Sequence, residues 1–261
     1  MSRIFKKHRA GSHKGDNGVV LVVGGSERYT GAVLLAALAA LRSGADKVIV
    51  AAPEKVAWAI SCQTPDLITE KIIGKILLPK SIGQIMKVAE QSDAILVGNG
   101  AGDNPKTLKM MRDLIRMLVH RKKPTVIDAD GLKAVRLQEL KNCLLTPHKT
   151  EFDTLCRNSS LNQRAVQKSI SNNVIILKGR IDTIISRDRI VLNRTGNEAM
   201  TKAGTGDVLA GLCAGFLSQK YLLFEAAIAA AWLNGKTGDR LRREKGYSMT
   251  ASDMLQRLKV H

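Results

Sequence analysis

Short, continuous apolar runs that each close on glycine or polar residues constrain this chain most. Gly18-Val-Val-Leu-Val-Val23 has no polar side chain and closes on Gly24-Gly25-Ser26. A strand with one wet face would alternate, so an unbroken run suits a strand covered on both faces of a sheet. From Gly31 to Ser43 the chain is apolar almost all round, which predicts an interior helix. Residues 47–52 complete a β-α-β unit, and Pro53 is expected to open the next helix.

The pattern recurs. Strands are predicted at 94–97, 124–127, 142–145 and 174–177. They end in turn on Gly98-Asn99-Gly100-Ala101-Gly102, Asp128-Ala129-Asp130-Gly131, Thr146-Pro147-His148 and Lys178-Gly179. Asn104-Pro105 opens an amphipathic helix to about His120. This alternation predicts an α/β fold with a mostly parallel sheet and helices on both faces. Residues 182–186 and 189–192, parted by a turn at Arg187-Asp188, predict a small antiparallel edge. Only helices are expected after Asp207, at 206–218, 222–242 and 249–258. With 261 residues, no linker and no internal repeat, one domain over 1–261 is expected, led by a basic segment over 1–15. The polar clusters all follow carboxyl ends of strands, where open α/β sheets build their sites, so they are expected to converge on one cleft.

Composition narrows the function classes. Hydrophobic content of 44% with 25% charged residues is that of a soluble globular protein, and 3% aromatic residues argues against a surface that stacks bases. Cys62, Cys143, Cys156 and Cys213 lack metal-ligand spacing and read as reduced thiols in a cytoplasmic protein. No secretory signal and no membrane span is predicted. The net charge of +18 admits nucleic acid, an anionic membrane or a polyanionic small molecule. Its basic residues are spread: Arg3, Lys6, Lys7 and Arg9 at the start, Arg121 to Lys123, Arg187 and Arg189, then Arg240 to Lys245. No nucleic-acid motif accompanies them, so steering a phosphorylated ligand is a sufficient use for the charge.

The candidate catalytic centre is Ala203-Gly204-Thr205-Gly206-Asp207, a glycine turn running into a helix whose apolar residues Leu209, Leu212, Cys213, Phe216 and Leu217 recur at three and four. Free N–H groups at a helix start attract phosphate oxygens, and Gly204 and Gly206 remove side chains that would hold a phosphate away. Asp207 beside such a cradle suits a base for a hydroxyl attacking phosphorus. Taken alone, it equally suits a helix cap worth about 0.5–2 kcal/mol.

The other clusters carry paired readings. Gly24-Gly25-Ser26 with Gly31-Ala32 is an ordinary βα turn or a close approach to ligand. The three glycines of 98–102 allow backbone conformations other residues forbid. Asp128 and Asp130 either bind hydrated magnesium, or fix the loop and cap the helix at Gly131. His148 is a cleft residue or an ordinary structural histidine, and Glu151 serves the following helix dipole. Lys178-Gly179 brings a cation and bare backbone to a nucleotide, or is a plain turn. Asn193-x-x-Gly196-Asn197 places amides near the central turn.

As an ordered set, several motifs resemble the ATP/ADP-dependent NAD(P)H-hydrate dehydratases of the ribokinase-like superfamily. They are Ser12-His-Lys-Gly15, Gly98-Asn-Gly100, Asp128-Ala-Asp-Gly-Leu132, Thr146-Pro-His148 with Glu151-Phe152, Lys178-Gly179, Asn193-Arg-Thr-Gly-Asn197 and Gly204-Thr-Gly-Asp207. The resemblance implies a three-layer ribokinase-like fold. It also implies repair of hydrated NADH or NADPH with ADP or ATP as co-substrate and Mg2+ accompanying the nucleotide. By the same match Asp207 is the base, and Ala32, Gly100, His148 and Asp207 contact the hydrated nicotinamide nucleotide. Lys178, Gly179, Arg180, Ile181, Asp182, Asn197, Gly204, Thr205 and Gly206 contact the adenine nucleotide; no residue is assigned as a metal ligand. Lys149-Thr150 and Ala203 depart from the family's usual Pro-Gly and Gly, and the chain runs one residue longer after Lys178-Gly179. A separate NAD(P)H-hydrate epimerase and a homo-oligomer, with a tetramer as one form, are expected as partners, and no specific nucleic acid or membrane. The alternative is a ribokinase-like kinase of a small alcohol that stops after phosphoryl transfer.

Overall fold

The structure is a computed structural model that describes residues 4, 5, 11, 13 and 15–260. Most of the expected basic segment over 1–15, with Arg3, Lys6, Lys7, Arg9, Ser12 and Lys14, lies outside the described residues.

The apolar runs form β1 (Val19–Val23), β2 (Lys47–Pro53), β4 (Ala94–Val97), β5 (Thr125–Ile127), β6 (Cys143–Leu145) and β7 (Val174–Leu177). These six pair in parallel, and β8 (Asp182–Ile185) and β9 (Ile190–Asn193) add the antiparallel edge. One further strand, β3 (Ile68–Ile72), escaped the sequence reading: its Ile-Thr-Glu-Lys-Ile is a half-exposed edge strand with no apolar run. Among the described residues the order is β3-β2-β1-β4-β5-β6-β7-β8-β9.

Successive side chains of a strand point to opposite faces, so each run feeds two cores. Val20 and Val22 join one apolar cluster, while Val19, Leu21 and Val23 join the other. The first core packs under α1 (Thr30–Arg42), α2 (Glu54–Gln63), α8 (Thr205–Ser218), α9 (Leu223–Lys245) and α10 (Ala251–Arg257). The second packs under α3 (Ile82–Glu90), α4 (Pro105–His120) and α6 (Lys149–Asn158), with short α5 (Asp130–Lys133) and α7 (Val166–Ser169) alongside. Pro53 proves to be the last residue of β2 and the N-cap of α2.

The interior helix α1 is apolar all round because it lies between the sheet, α8 and α10. Gly211 and Gly215 of α8 lie against it, where a Cβ would collide with the Ala36 carbonyl oxygen and the Ser43 hydroxyl. This close approach fixes where the N-terminus of α8 emerges. Strand order reverses between β1 and β4, the switch point beside which open sheets bind ligands.

Candidate active site

The loops after β1, β4, β5, β6 and β7 meet the first turn of α8 at the carboxyl edge of the sheet. Gly24 after β1 touches the β4 loop, with the Gly25 N–H donating to the Asn99 carbonyl at 2.9 Å. Gly98 has φ +125°, and a Cβ there would strike the carbonyl of Asp128 and the backbone of Gly131. This turn aims Asn99 inward. In the β5 loop Ala129 has φ 50° and ψ −122°, a conformation that costs about 1–3 kcal/mol in a residue with a side chain. It turns Asp128 into the interior and leaves Asp130 outside.

The polar groups form one chain of contacts. Asn99 Nδ2 donates to Asp207 Oδ1 at 2.7 Å and to Asp128 Oδ2 at 2.9 Å. With both N–H groups committed to carboxylates, its Oδ1 is buried without a partner among the described residues. Asp128 Oδ1 accepts from Thr146 Oγ1 at 2.7 Å and from Lys178 Nζ at 3.1 Å. The same Nζ lies 3.8 Å from Glu151 Oε2, and Glu151 Oε1 lies 3.5 Å from His148 Nε2. His148 is the N-cap of α6, with Glu151 completing a reciprocal capping box.

Three carboxylates therefore share one buried ammonium. Burial pushes the Asp207 carboxyl up to about 7, with Asp128 and Glu151 adding to the rise and Asn99 and Lys178 opposing it. Burial alone would lower the Lys178 ammonium, but Asp128 and Glu151 outweigh it and hold Lys178 above its ordinary value. A carboxylate that titrates near neutrality in a polar cleft is suited to accept a proton from an alcohol. The N-cap of α8 is Gly204, left-handed at φ +95°, and its side-chain-free turn makes no side-chain cap. Asp207 is thus not a helix cap, and its carboxylate turns to Asn99 instead.

Beside Asp207 a cleft of about 670 Å³ opens. It is lined by Lys178, Gly179, Arg180, Ile181, Asp182, Asn197, Thr205 and Gly206, eight of the nine residues expected at the adenine nucleotide; Gly204 lies just outside. Gly206 is bare where it faces the ammonium: a Cβ would stand 3.3 Å from Lys178 Nζ. Asp182 accepts the Gly179 N–H at 3.1 Å and the Asn193 amide at 3.2 Å, yet burial pushes its carboxyl up. Asn197 is oriented by Asp239 at 3.1 Å.

The residues expected at the nicotinamide nucleotide lie outside that lining. A Cβ at Gly100 would stand 3.1 Å from that of Ala32, and the Gly100 carbonyl accepts from Ser26 Oγ at 2.8 Å. His148 is exposed at the end of the Asp128-Lys178-Glu151 chain. The expectation that Asp130 caps a helix at Gly131 is corrected. Asp130 is itself in the first turn of α5 and reaches across to the Gly102 N–H at 2.8 Å and to Lys133 at 2.7 Å. Asp128 is closed in by three hydrogen bonds. Asn99 stood in the sequence between two glycines without an assigned role. Its partners are 29 and 108 residues away, a relation no local pattern carries.

The profile of the family described as NAD(P)H-hydrate dehydratase matches residues 20–259. The chain belongs to this family. Relatives of the NAD(P)H-hydrate dehydratase family include the bifunctional NAD(P)H-hydrate repair enzyme of Methanothermobacter thermautotrophicus. It is 40% identical over 259 residues, which are 95% of this chain and 50% of that protein. The chain thus spans about half the length of the bifunctional relatives it matches. The ADP-dependent (S)-NAD(P)H-hydrate dehydratase of Cenarchaeum symbiosum is 36% identical over 272 residues, covering 98% of this chain and 92% of the relative. Among solved structures, the ADP/ATP-dependent NAD(P)H-hydrate dehydratase of Bacillus subtilis, co-crystallized with ATP/Mg2+, superposes with TM-score 0.79 at 28% identity, covering 98% and 94% of the two chains. A ribokinase-like superfamily protein of Enterococcus faecalis, 24% identical with TM-score 0.86 over 99% and 92% of the chains, shares the fold. The architecture of this dehydratase-family chain is therefore ribokinase-like.

Proposed function

We propose that this protein restores NAD(P)H from its (6S)-hydrate, consuming ADP or ATP. The observation that carries the reading is Asp207, a carboxylate held near neutral titration between a phosphate-accepting helix start and the switch-point crevice. Asp207 takes the proton of the ring hydroxyl as its oxygen attacks the terminal phosphorus of the nucleotide. The bond to the bridging oxygen breaks, releasing AMP from ADP or ADP from ATP. The C6–O bond of the phosphate ester then breaks, inorganic phosphate departs with the electron pair, a proton leaves C5, and the ring double bond returns. Lys178 and the N–H groups at the start of α8 receive the negative charge that builds on the transferred group, and such positioned charge is the main source of rate in phosphoryl transfer. Ala32 and Gly100 are small where the nicotinamide ring would lie, and His148 stands at its edge.

Among the described residues no cluster of three or more His, Cys, Asp or Glu makes a protein cage for a metal. The site suits Mg2+ carried on the nucleotide, which keeps several waters and needs one or two carboxylates, with Glu151 and Asp207 as the neighbours. The ion would neutralise phosphate charge.

The four cysteines are free, which suits a reducing cytoplasm, and no helix of the described residues is long and apolar enough to cross a membrane. A homo-oligomer is supported by β9, whose Ile190, Val191 and Leu192 are 52%, 37% and 49% exposed on the sheet edge. Size-exclusion chromatography with light scattering tests it, with a tetramer as one expected form.

The test mixes pure protein with the S-epimer of NADH hydrate, Mg2+ and ADP or ATP. Reduced-nicotinamide absorbance and phosphate release are followed together. Nucleotide-dependent recovery matched by phosphate supports the reading; a folded protein that gives neither refutes it, and a stable phosphorylated alcohol would make it a kinase.

A further inference from the structure

The cleft beside Asp207 contains a buried group with unmet bonding capacity. Asn234 of α9 lines it, is only 7% exposed, and buries its side-chain Oδ1 with no hydrogen-bond partner among the described residues. A buried carboxamide oxygen that has given up water and gained nothing destabilises a fold, and native interiors rarely keep one. The terminal torsion of an asparagine is broad and roughly two-fold, so either end of the amide can turn to the cleft.

The surroundings specify what the amide would meet. Gly235 has no room for a side chain, since a Cβ would collide with Thr195, so the 194–196 loop lies flat on α9. Leu209, one helical turn beyond Thr205 in α8, and Met200 add apolar surface to the same lining. Lys178 and Gly206, which suit phosphate, belong to that lining too. Within a lining that also carries Asn197 and charged side chains, the apolar surface of Leu209 and Met200 with the Asn234 carboxamide suits a planar heteroaromatic ring. A carboxamide presents an acceptor and a donor side by side, matching a ring edge where an amine adjoins a ring nitrogen.

We propose that Asn234 reads the nucleobase, its carboxamide pairing with the 6-amino group and the adjoining ring nitrogen of a 6-aminopurine. The inference rests on the reading that this cleft holds the nucleotide, and extends it to base specificity. A purine lacking the 6-amino group would leave the Asn234 oxygen unsatisfied and bind more weakly.

The test is isothermal titration calorimetry of the full chain with Mg2+ and either ADP or purine riboside 5′-diphosphate, which differs only in lacking that amine. The wild type is expected to bind ADP about 10-fold or more tightly than the analogue. Asn234→Leu removes the carboxamide, so ADP, which loses two bonds, should weaken more than the analogue, which loses only the ring-nitrogen bond, until the ratio is within about 2-fold. Its unfolding temperature should not drop, because the orphaned oxygen is gone. Should that variant fail to fold, Asn234→Ser, which cannot pair with both groups, is expected to lose the same preference. A wild type that binds ADP without preference, or variants that keep the full ratio, would overturn the assignment and leave the cleft reading standing. A folded wild type that binds neither diphosphate would overturn both.

Discussion

Asp207→Asn separates what this carboxylate does for chemistry from what it costs the fold. The side chain keeps its shape, and a carboxamide oxygen still accepts from Asn99 Nδ2, now 2.7 Å from Asp207 Oδ1. Only the charge is lost. Raising the carboxyl from 3.8 to about 7 corresponds to about 4 kcal/mol against the ionised form in the folded state. Partial exposure of Asp207 reduces this to about 2–4 kcal/mol. Because the folded value lies above the unfolded one, the preference for the protonated form stabilises the fold fully below about pH 4. That contribution drains away as the pH rises through about 7. At pH 8.5 the wild type carries the whole cost and the variant none. Asp207→Asn is therefore expected to raise the unfolding temperature by about 5–10 °C at pH 8.5, and by much less at pH 5. Turnover should fall about 10²–10⁴-fold above about pH 7, where the wild-type carboxylate is ionised, and by less at pH 5, where the wild type has itself lost its base. Paired thermal unfolding curves at the two pH values check the first claim. A variant no more stable than wild type at pH 8.5, or one whose advantage is the same at pH 5, would refute the account of Asp207 as a carboxylate strained by burial.

Asn99→Ala removes the N–H that favours the Asp207 carboxylate, so the acid limb of the activity profile should move up by about 0.5–1 pH unit. A rate loss with an unmoved limb would count against it. Lys178→Met strips the counter-charge from Asp128 and Glu151, should raise the Asp207 carboxyl further, and should weaken ADP binding by about 10-fold or more in calorimetry. Gly98→Ala puts a side chain into the carbonyl of Asp128 at φ +125° and should cost about 3 kcal/mol or more in urea unfolding. Cys62 is exposed while Cys143, Cys156 and Cys213 are buried, with burial pushing the Cys143 thiol up to about 12. A thiol reagent should therefore label one cysteine in the native protein and four after denaturation.

Much of the architecture was legible because it is local. The unbroken run at 19–23, the all-apolar helix after it and the Asn104-Pro105 helix start each state their own structure within a few residues, and α4 runs from Pro105 to His120 as read. The polar edge strand β3 was not legible, since a strand whose faces are both partly wet announces neither an apolar run nor a clean alternation. The glycine and aspartate clusters were visible as clusters, yet their wiring was not. That Asn99 bridges Asp207 and Asp128, that Asp130 leaves the site for Gly102, and that Asn234 lines the cleft all depend on contacts between distant segments.

The sequence by itself determined the alternation of buried strands and helices, the placing of glycines and acids at strand ends, and the glycine start of α8. Periodicity and backbone freedom act over a few residues and need no tertiary frame. Only the tertiary structure decided which carboxylate became the one held near neutrality. Asp128 and Asp207 are the same residue type at comparable loop ends, but among the described residues Asp128 is closed in by Thr146, Lys178 and Asn99 while Asp207 is hydrogen-bonded by Asn99 alone. Desolvation and unequal sharing of one ammonium among three carboxylates separate their roles, and both are properties of the assembled cleft.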